Sequence, residues 1–355
     1  MKVNSWLFLI KSGDVVRTTI KDIASKTNLS VTTVSLVLNN KPSKISQKTR
    51  ELVLATAREM NYMPNQLAVG LIKKRTKTLG LIVSDIRNDF FSSLAKGIEG
   101  ECRRKGWTLI LCNSNDYHDR DMEYINVLAS KSVDGILYCM SIDSDYQNFK
   151  QSFDLLNHLH IPFVLLDRTY PLPYQAAVKM DHAQGGYLAA HHLIELGHRR
   201  IACVTGPHYL EDSISRLKGY QKALSEAGIP FDPSIIYEGS YDASSGESAV
   251  DSLLGKNFSA IFAFNDMMAF GVCRGLKRHG LSVPSDVSVV GYDDIFLAEA
   301  LEVPLTTIKQ PVGEMGCAAT RKIIAMIENE PFAEDTLFKP ELIIRSSTAP
   351  YVAAE

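Results

Sequence analysis

The feature that most constrains this chain is a double series of strand-like and helix-like segments between residues 78 and 328. The runs at 79–83, 109–112, 135–138 and 163–166 are short and almost continuously apolar. Strands of a parallel sheet read this way, because helices cover both of its faces. Helix-periodic segments separate them, near 91–105, 121–130 and 146–159. The series then repeats: helices at 184–196, 213–227, 243–254 and 267–279 alternate with strands at 201–204, 235–237, 260–264 and 287–291. A strand at 305–308 and a helix at 313–328 close it. Two successive sets predict an α/β chain with two doubly wound lobes and a cleft between them. A length of 355 residues agrees with two or three domains.

Residues 19–39, TIKDIASKTNLSVTTVSLVLN, have a different period. Thr19 with Asp22 three residues on resembles a capping box. Ile20, Ile23, Ala24 and Thr27 share one helix face. Asn28-Leu29-Ser30 breaks the helix, and Ser30 is a good N-cap for the next, where Val34, Val37 and Leu38 repeat the spacing. Two short helices with a tight turn suit a helix-turn-helix, or a hairpin in some other small bundle. A third helix from Ser46, with Leu52, Val53, Thr56, Ala57 and Met60 on one face, favours an independent DNA-binding headpiece. In that motif the start of the second helix faces base edges, here Val31, Thr32, Ser35 and Leu36.

Charge points the same way. Between Arg17 and Lys77 there are 12 Lys and Arg against three acids, so this stretch carries +9 while the whole chain carries −2. A basic headpiece on an acidic body is the footprint of a protein that holds phosphates at one end. Residues 65–72 form a weak helical stretch before the basic linker 73–77; it can order on a partner or be a plain linker. The six cysteines are scattered, with no CxxC pair, which suits free thiols in a reducing cytoplasm. Residues 1–17 are expected to be a disordered leader: the apolar run Trp6–Ile10 is too short for a signal peptide. No segment approaches a membrane span.

In open α/β sheets, ligands sit beyond the carboxyl ends of the strands. The polar and aromatic residues there are Asp85, Asn88, Phe90, Phe91, Asp167, Arg168, Thr205, Asn265, Asp266, Asp293 and Asp294. Rings, carboxylates, amides and an arginine suit a small polyol. Each residue taken singly could equally cap the helix that follows.

Several longer stretches resemble the lactose/galactose repressor (LacI/GalR) family: NLSVTTVS, RELVLATAREMNYMPN, IELGHRRIACVTGP, FNDMMAFGV, VSVVGYDDI and PLTTIKQP. The resemblance spans Thr19 to about Ser347 and is greatest to ribose operon repressors. It implies a headpiece at 18–63, a hinge helix and linker at 64–77, and a two-lobed body of the periplasmic-binding-protein type at 78–355. The N-lobe would take about 78–178 plus 309–345, and the C-lobe about 179–308. DNA contacts are implied for Thr19, Ser30, Val31, Thr32, Thr33, Ser35, Leu36, Asn39, Asn65, Ala68 and Leu71, with Leu71 as a minor-groove wedge. Where relatives often carry Arg or His, this chain has Leu36, which favours thymine methyls over guanine.

The implied effector residues are Asn88, Phe90, Phe91, Asp167, Arg168, Arg216, Tyr241, Asn265, Asp293 and Gln310. Asp89 departs from the family's usual proline. Ribose is the expected effector; fructose, a sucrose-derived sugar, a nucleoside or a purine are the alternatives. The partners implied are a near-palindromic double-stranded operator, a sugar and a second copy of the chain. Ile295-Phe296-Leu297 stand where a phosphocarrier coregulator would need basic residues, which argues against that partner.

A transport-type sugar-binding protein would share the body, but it would need an export signal and no headpiece. An enzyme is disfavoured: GxSxG, Walker A, HExxH and a GxGxxG after a strand are all missing, so no catalytic residue, cofactor or metal is expected. His191 and Glu195 are four apart on a helix, but with no third ligand they read as a solvated face.

Overall fold

The computed structural model describes residues 18–39, 44–63, 75–170, 176–333 and 335–352. They fall into two compact units that divide at Thr76 and Lys77.

The first unit holds three helices, α1 (Ile20–Thr27), α2 (Val31–Leu38) and α3 (Gln47–Glu59). Thr19 opens α1 by donating its backbone N–H and its hydroxyl to Asp22, each at 2.7 Å. Ser30 and Ser46 cap α2 and α3 by accepting the Thr33 and Thr49 amides at 3.1 and 3.2 Å. Ile23, Ala24, Val34, Val37, Val53 and Ala57 form the buried core, as the helical spacing requires. Leu52 corrects the expected third face, because it is 48% exposed. It lies one residue from Val53, hence about 100° around the helix from the Val53–Thr56–Ala57–Met60 stripe.

The second unit contains two six-stranded sheets with the same strand order. The first runs β2 (Thr108–Asn113), β1 (Thr78–Val83), β3 (Gly135–Tyr138), β4 (Phe163–Leu166), β5 (Ala176–Met180), β11 (Asp335–Phe338). The second runs β7 (Ile236–Glu238), β6 (Ile201–Thr205), β8 (Ala260–Ala263), β9 (Ser288–Asp293), β10 (Thr306–Lys309), β12 (Glu341–Ile343). All neighbours are parallel except β10 and β12. The apolar runs follow from double coverage: Leu79, Leu81 and Val83 of β1 enter one core, while Ile82 enters the other.

The helices of the first lobe are α4 (Asp89–Lys105), α5 (His118–Ser130), α6 (Tyr146–His158) and α12 (Val312–Glu328). Those of the second are α7 (His182–Glu195), α8 (Glu211–Glu226), α9 (Ala243–Leu253), α10 (Asp266–Arg278) and the short α11 (Phe296–Ala300). Several begin one to three residues before the expected start. The chain passes between the sheets three times, after β5, after β10 and between β11 and β12. It re-enters the second sheet at Glu341, so the first lobe ends earlier than the expected 345. Backbone contact locks α7 to α8: a Cβ at Gly219 would lie 1.9 Å from the Ala183 carbonyl oxygen, so only glycine fits. That contact places His182 and Arg216 side by side.

Candidate functional site

The two β1-type strands, β1 and β6, lie where strand order reverses, and the residues beyond their carboxyl ends face one cleft. All ten residues implied for the effector, Asn88 through Gln310, line this cleft, and Asp212 joins them. The side chains close in on one another and leave a free volume of only about 20 Å³.

Two guanidinium groups dominate the cleft, each with different support. Arg168 donates through Nη1 toward Ser84 Oγ at 2.9 Å and the Met140 carbonyl at 3.1 Å, and pairs with Asp116 at 3.3 Å. Arg216 sits 3.9 Å from the Tyr292 ring centroid and donates Nε to His182 Nδ1 at 3.3 Å. It also donates to the Phe264 carbonyl. Tyr241 lies beneath both guanidinium groups, at 5.5 and 5.7 Å, and donates its hydroxyl to Asp212. Phe90 and Phe91 form an edge-to-face pair with centroids 5.1 Å apart. Asn88 and Asn265 each spend their side-chain oxygen on capping the helix behind them, α4 and α10. The cap and the cleft roles therefore coincide in these two residues.

Three cleft residues hold backbone angles that favour glycine: Asp167 at φ 62°, Tyr241 at 61° and Asp293 at 113°. Such strain persists where the surroundings over-determine it, and it clusters at functional sites.

The cleft also leaves hydrogen-bonding capacity unused. Asp167 Oδ1, Arg168 Nε, Asp212 Oδ1 and Gln310 Oε1 are buried without a hydrogen-bond partner. Each such group costs roughly 1–3 kcal/mol, more when charged, which a ligand's hydroxyls would recover. Burial, and then the Asp212 charge, raise Asp167 to about 6 against the pull of the two arginines. Burial would raise Asp212 too, but Arg216 and Arg168 hold it below the usual carboxylate value. Burial holds Asp293 well above that value, and Gln310 donates to it at 2.7 Å. Burial, with the Arg216 charge, lowers His182 to about 3, so it is neutral at ordinary pH.

Asp212 is the residue that sequence reading missed. The expected helix began at Ser213, but α8 begins at Glu211. An acid four residues before an arginine on one helix face was the available signal.

Other residues past the strands serve the fold. Asp85 pairs with exposed Arg87 at 2.6 Å. Thr205 lies 2.9 Å from His208 Nε2. Asp266 accepts from Thr307 and the Ile295 amide at 2.6 and 2.9 Å. Asp294 pairs with Arg345 at 2.7 Å. His191 meets Glu195 on an exposed face at 3.5 Å, and no group of three metal ligands occurs among the described residues. No helix among them is long and apolar enough to cross a membrane.

On the headpiece, Val31 and Thr32 are exposed, while Thr33, Ser35 and Leu36 are half-buried. Asn39 turns back to the Ser35 carbonyl at 2.9 Å. Asn65, Ala68 and Leu71 lie outside the described residues.

Comparison with known proteins adds to this geometry. Residues 19–65 match bacterial regulatory proteins of the lacI family, and residues 190–348 match a periplasmic binding protein-like domain. The HTH-type transcriptional repressor PurR of Vibrio atlanticus (strain LGP32) is 38% identical over 335 residues, 93% of this chain and 98% of its own. A LacI family regulator from Enterococcus faecium, solved with bound ribose, is 34% identical, covers 78% of this chain and 100% of its own, and has a TM-score of 0.70. The lac repressor dimer bound to operator and the anti-inducer ONPF is 28% identical, with 94% and 99% covered and a TM-score of 0.83.

Proposed function

Because this chain belongs to the LacI family of bacterial regulatory proteins, we propose that it is a repressor which a small sugar, ribose first, releases from its operator. Membership makes it a DNA-binding transcriptional repressor, in a family that binds operators as dimers and answers to small molecules. The observation that carries the sugar reading is the set of four buried polar atoms, on residues that line the cleft, without a hydrogen-bond partner among the described residues. Carboxylate and amide oxygens take hydroxyl protons, Arg168 Nε donates, and Phe90 and Phe91 offer apolar edges to ring carbons. The ribose-bound relative supports the same choice.

In this reading the headpiece presents Val31, Thr32, Ser35 and Leu36 to base edges, and Thr19, Ser30, Thr33 and Asn39 fix the helices and reach phosphates. Asn65, Ala68 and Leu71 form the hinge segment that opens the minor groove. Sugar binding favours the closed cleft and weakens the hold of the headpiece on DNA. Operator and sugar must then weaken each other by the same factor.

Titration calorimetry of the full chain with D-ribose, then with pentoses, hexoses and nucleosides, tests the effector. Binding of ribose with a matching loss of operator affinity is expected. Silence toward ribose with heat from another compound would remove ribose and keep the regulator.

A further inference from the structure

Asp89 holds more than its own helix. It is the first residue of α4, on the first lobe, and its Oδ1 accepts the Ser92 hydroxyl at 2.8 Å. Its Oδ2 reaches the other lobe and accepts the backbone amide of Phe296 at 3.1 Å, a contact across 207 residues of sequence. The neighbouring amide, Ile295, donates to Asp266 of its own lobe at 2.9 Å. Two consecutive amides of the second lobe are thus held by carboxylates from opposite sides of the cleft. The same rim is apolar beneath: Ile295 is buried in the core cluster that contains Phe90, Phe91 and Leu94. Elsewhere on the cleft rim, Tyr209 of the second lobe donates its hydroxyl to the Ile142 carbonyl of the first at 2.7 Å. The Tyr170 hydroxyl lies 3.0 Å from the Tyr209 carbonyl.

We propose that Asp89 is a latch. With the Tyr209–Ile142 contact it holds the two lobes closed on one another, so that opening of this latch limits effector entry and release. A proline at this position could not make the bond, because it has no acceptor on its side chain. The latch itself concerns only the two lobes; its effect on effector traffic rests on the reading of the cleft as the effector site.

Asp89→Pro is a clean test. Proline is favoured at the first position of a helix, where the missing N–H would have no partner. Asn88, at φ −76° and ψ 119°, already has the backbone that a following proline requires. Asp89→Ala serves as the second variant. Hydrogen exchange of the full chain without effector, followed by mass spectrometry on peptides spanning Phe296 and Tyr209, reads the latch directly. Both variants should exchange about five- to tenfold faster at Phe296 and faster at Tyr209, with an increased radius of gyration in small-angle scattering and unchanged exchange within β9. D-ribose association, followed by stopped flow, should accelerate by a similar factor.

Unchanged exchange at Phe296 in both variants would overturn the latch. So would faster exchange confined to Phe296 with an unaltered radius of gyration, which would reduce Asp89 to a local cap. Failure of ribose to bind would leave the exchange result standing and would count against the sugar alone.

Discussion

On α2 the apolar Val31 is 42% exposed, whereas in the cleft Asp212 and Arg216 are each 3% exposed. The two regions break the ordinary burial pattern in opposite directions. The headpiece, with a core of six buried residues, leaves Val31 in water at the start of its second helix, as it does Leu52, Leu54 and Met63 elsewhere. The cleft belongs to a body with ample core, yet it buries three carboxylates and two guanidinium groups. Buried polar groups and large exposed apolar patches are the informative exceptions to the burial pattern, and the cleft is the stronger of the two here. In the proposed function each is a surface completed by something else: base edges carrying methyl groups on one side, a hydroxylated molecule on the other.

The largest expected effect lies in the cleft. Arg216→Ala removes the stronger of the two arginine charges that hold buried Asp212 ionised, and leaving a buried charge uncompensated costs up to about 3–5 kcal/mol. Effector response should be lost, and the body should melt earlier, while headpiece binding to operator persists at temperatures where the chain is folded. Calorimetry, thermal melting and an operator-binding assay would measure the three together. Normal effector binding in this variant would break the comparison, since the buried charge would then be structural only.

The headpiece offers a smaller and sharper effect. Leu36→Arg places a forked donor where the face is apolar. It should add guanine preference at one operator position, worth about 1–3 kcal/mol of discrimination. Competition binding against single-base operator variants would show it. If preference did not move at any position, Leu36 would not face the bases.

The same contrast explains what was legible. The headpiece is written locally: the caps Thr19, Ser30 and Ser46 and the Ile23–Val34–Val53 core follow from spacing within a few residues. The central strands were legible because double burial leaves continuous apolar runs. β5, β11 and β12 were not, since Lys179, Asp335 and Glu341 interrupt them and long-range pairing alone makes them strands. α11, at five residues, is too short to show a period. The cleft combines residues from 88 to 310, which no local spacing brings together. Seven of its ten expected members were named from their place past the strand ends; Arg216, Tyr241 and Gln310 came through family resemblance alone. Asp212 escaped because the start of α8 was set two residues late. The Asp89–Phe296 bond escaped because it joins two lobes and no period encodes it.

The smallest expected effect is a pH dependence of the cleft. Asp167 is raised from 3.8 to about 6 by burial and by the Asp212 charge. The folded state therefore binds its proton more tightly than the unfolded chain does. This group's contribution to stability is fully present below 3.8 and is lost as pH rises from there to about 6. Effector binding should run the other way. At pH 7 Asp167 is mostly ionised and accepts hydroxyl protons; near pH 5 it is mostly protonated and gives up part of that capacity. Affinity should fall several-fold between pH 7 and 5, and Asp167→Asn should reduce that slope, leaving the share of Asp293, which burial also raises. His182 is neutral throughout, because it titrates near 3, so it does not mask the change. Operator binding should not follow this profile: among the described headpiece residues the shifted carboxylate is Asp22, which the Thr19 amide and hydroxyl hold below the ordinary value. A parallel titration of both regions would therefore separate them: a sloping effector curve beside a flat operator curve. Two curves of equal slope would mean that the buried charges of the cleft do not set its affinity.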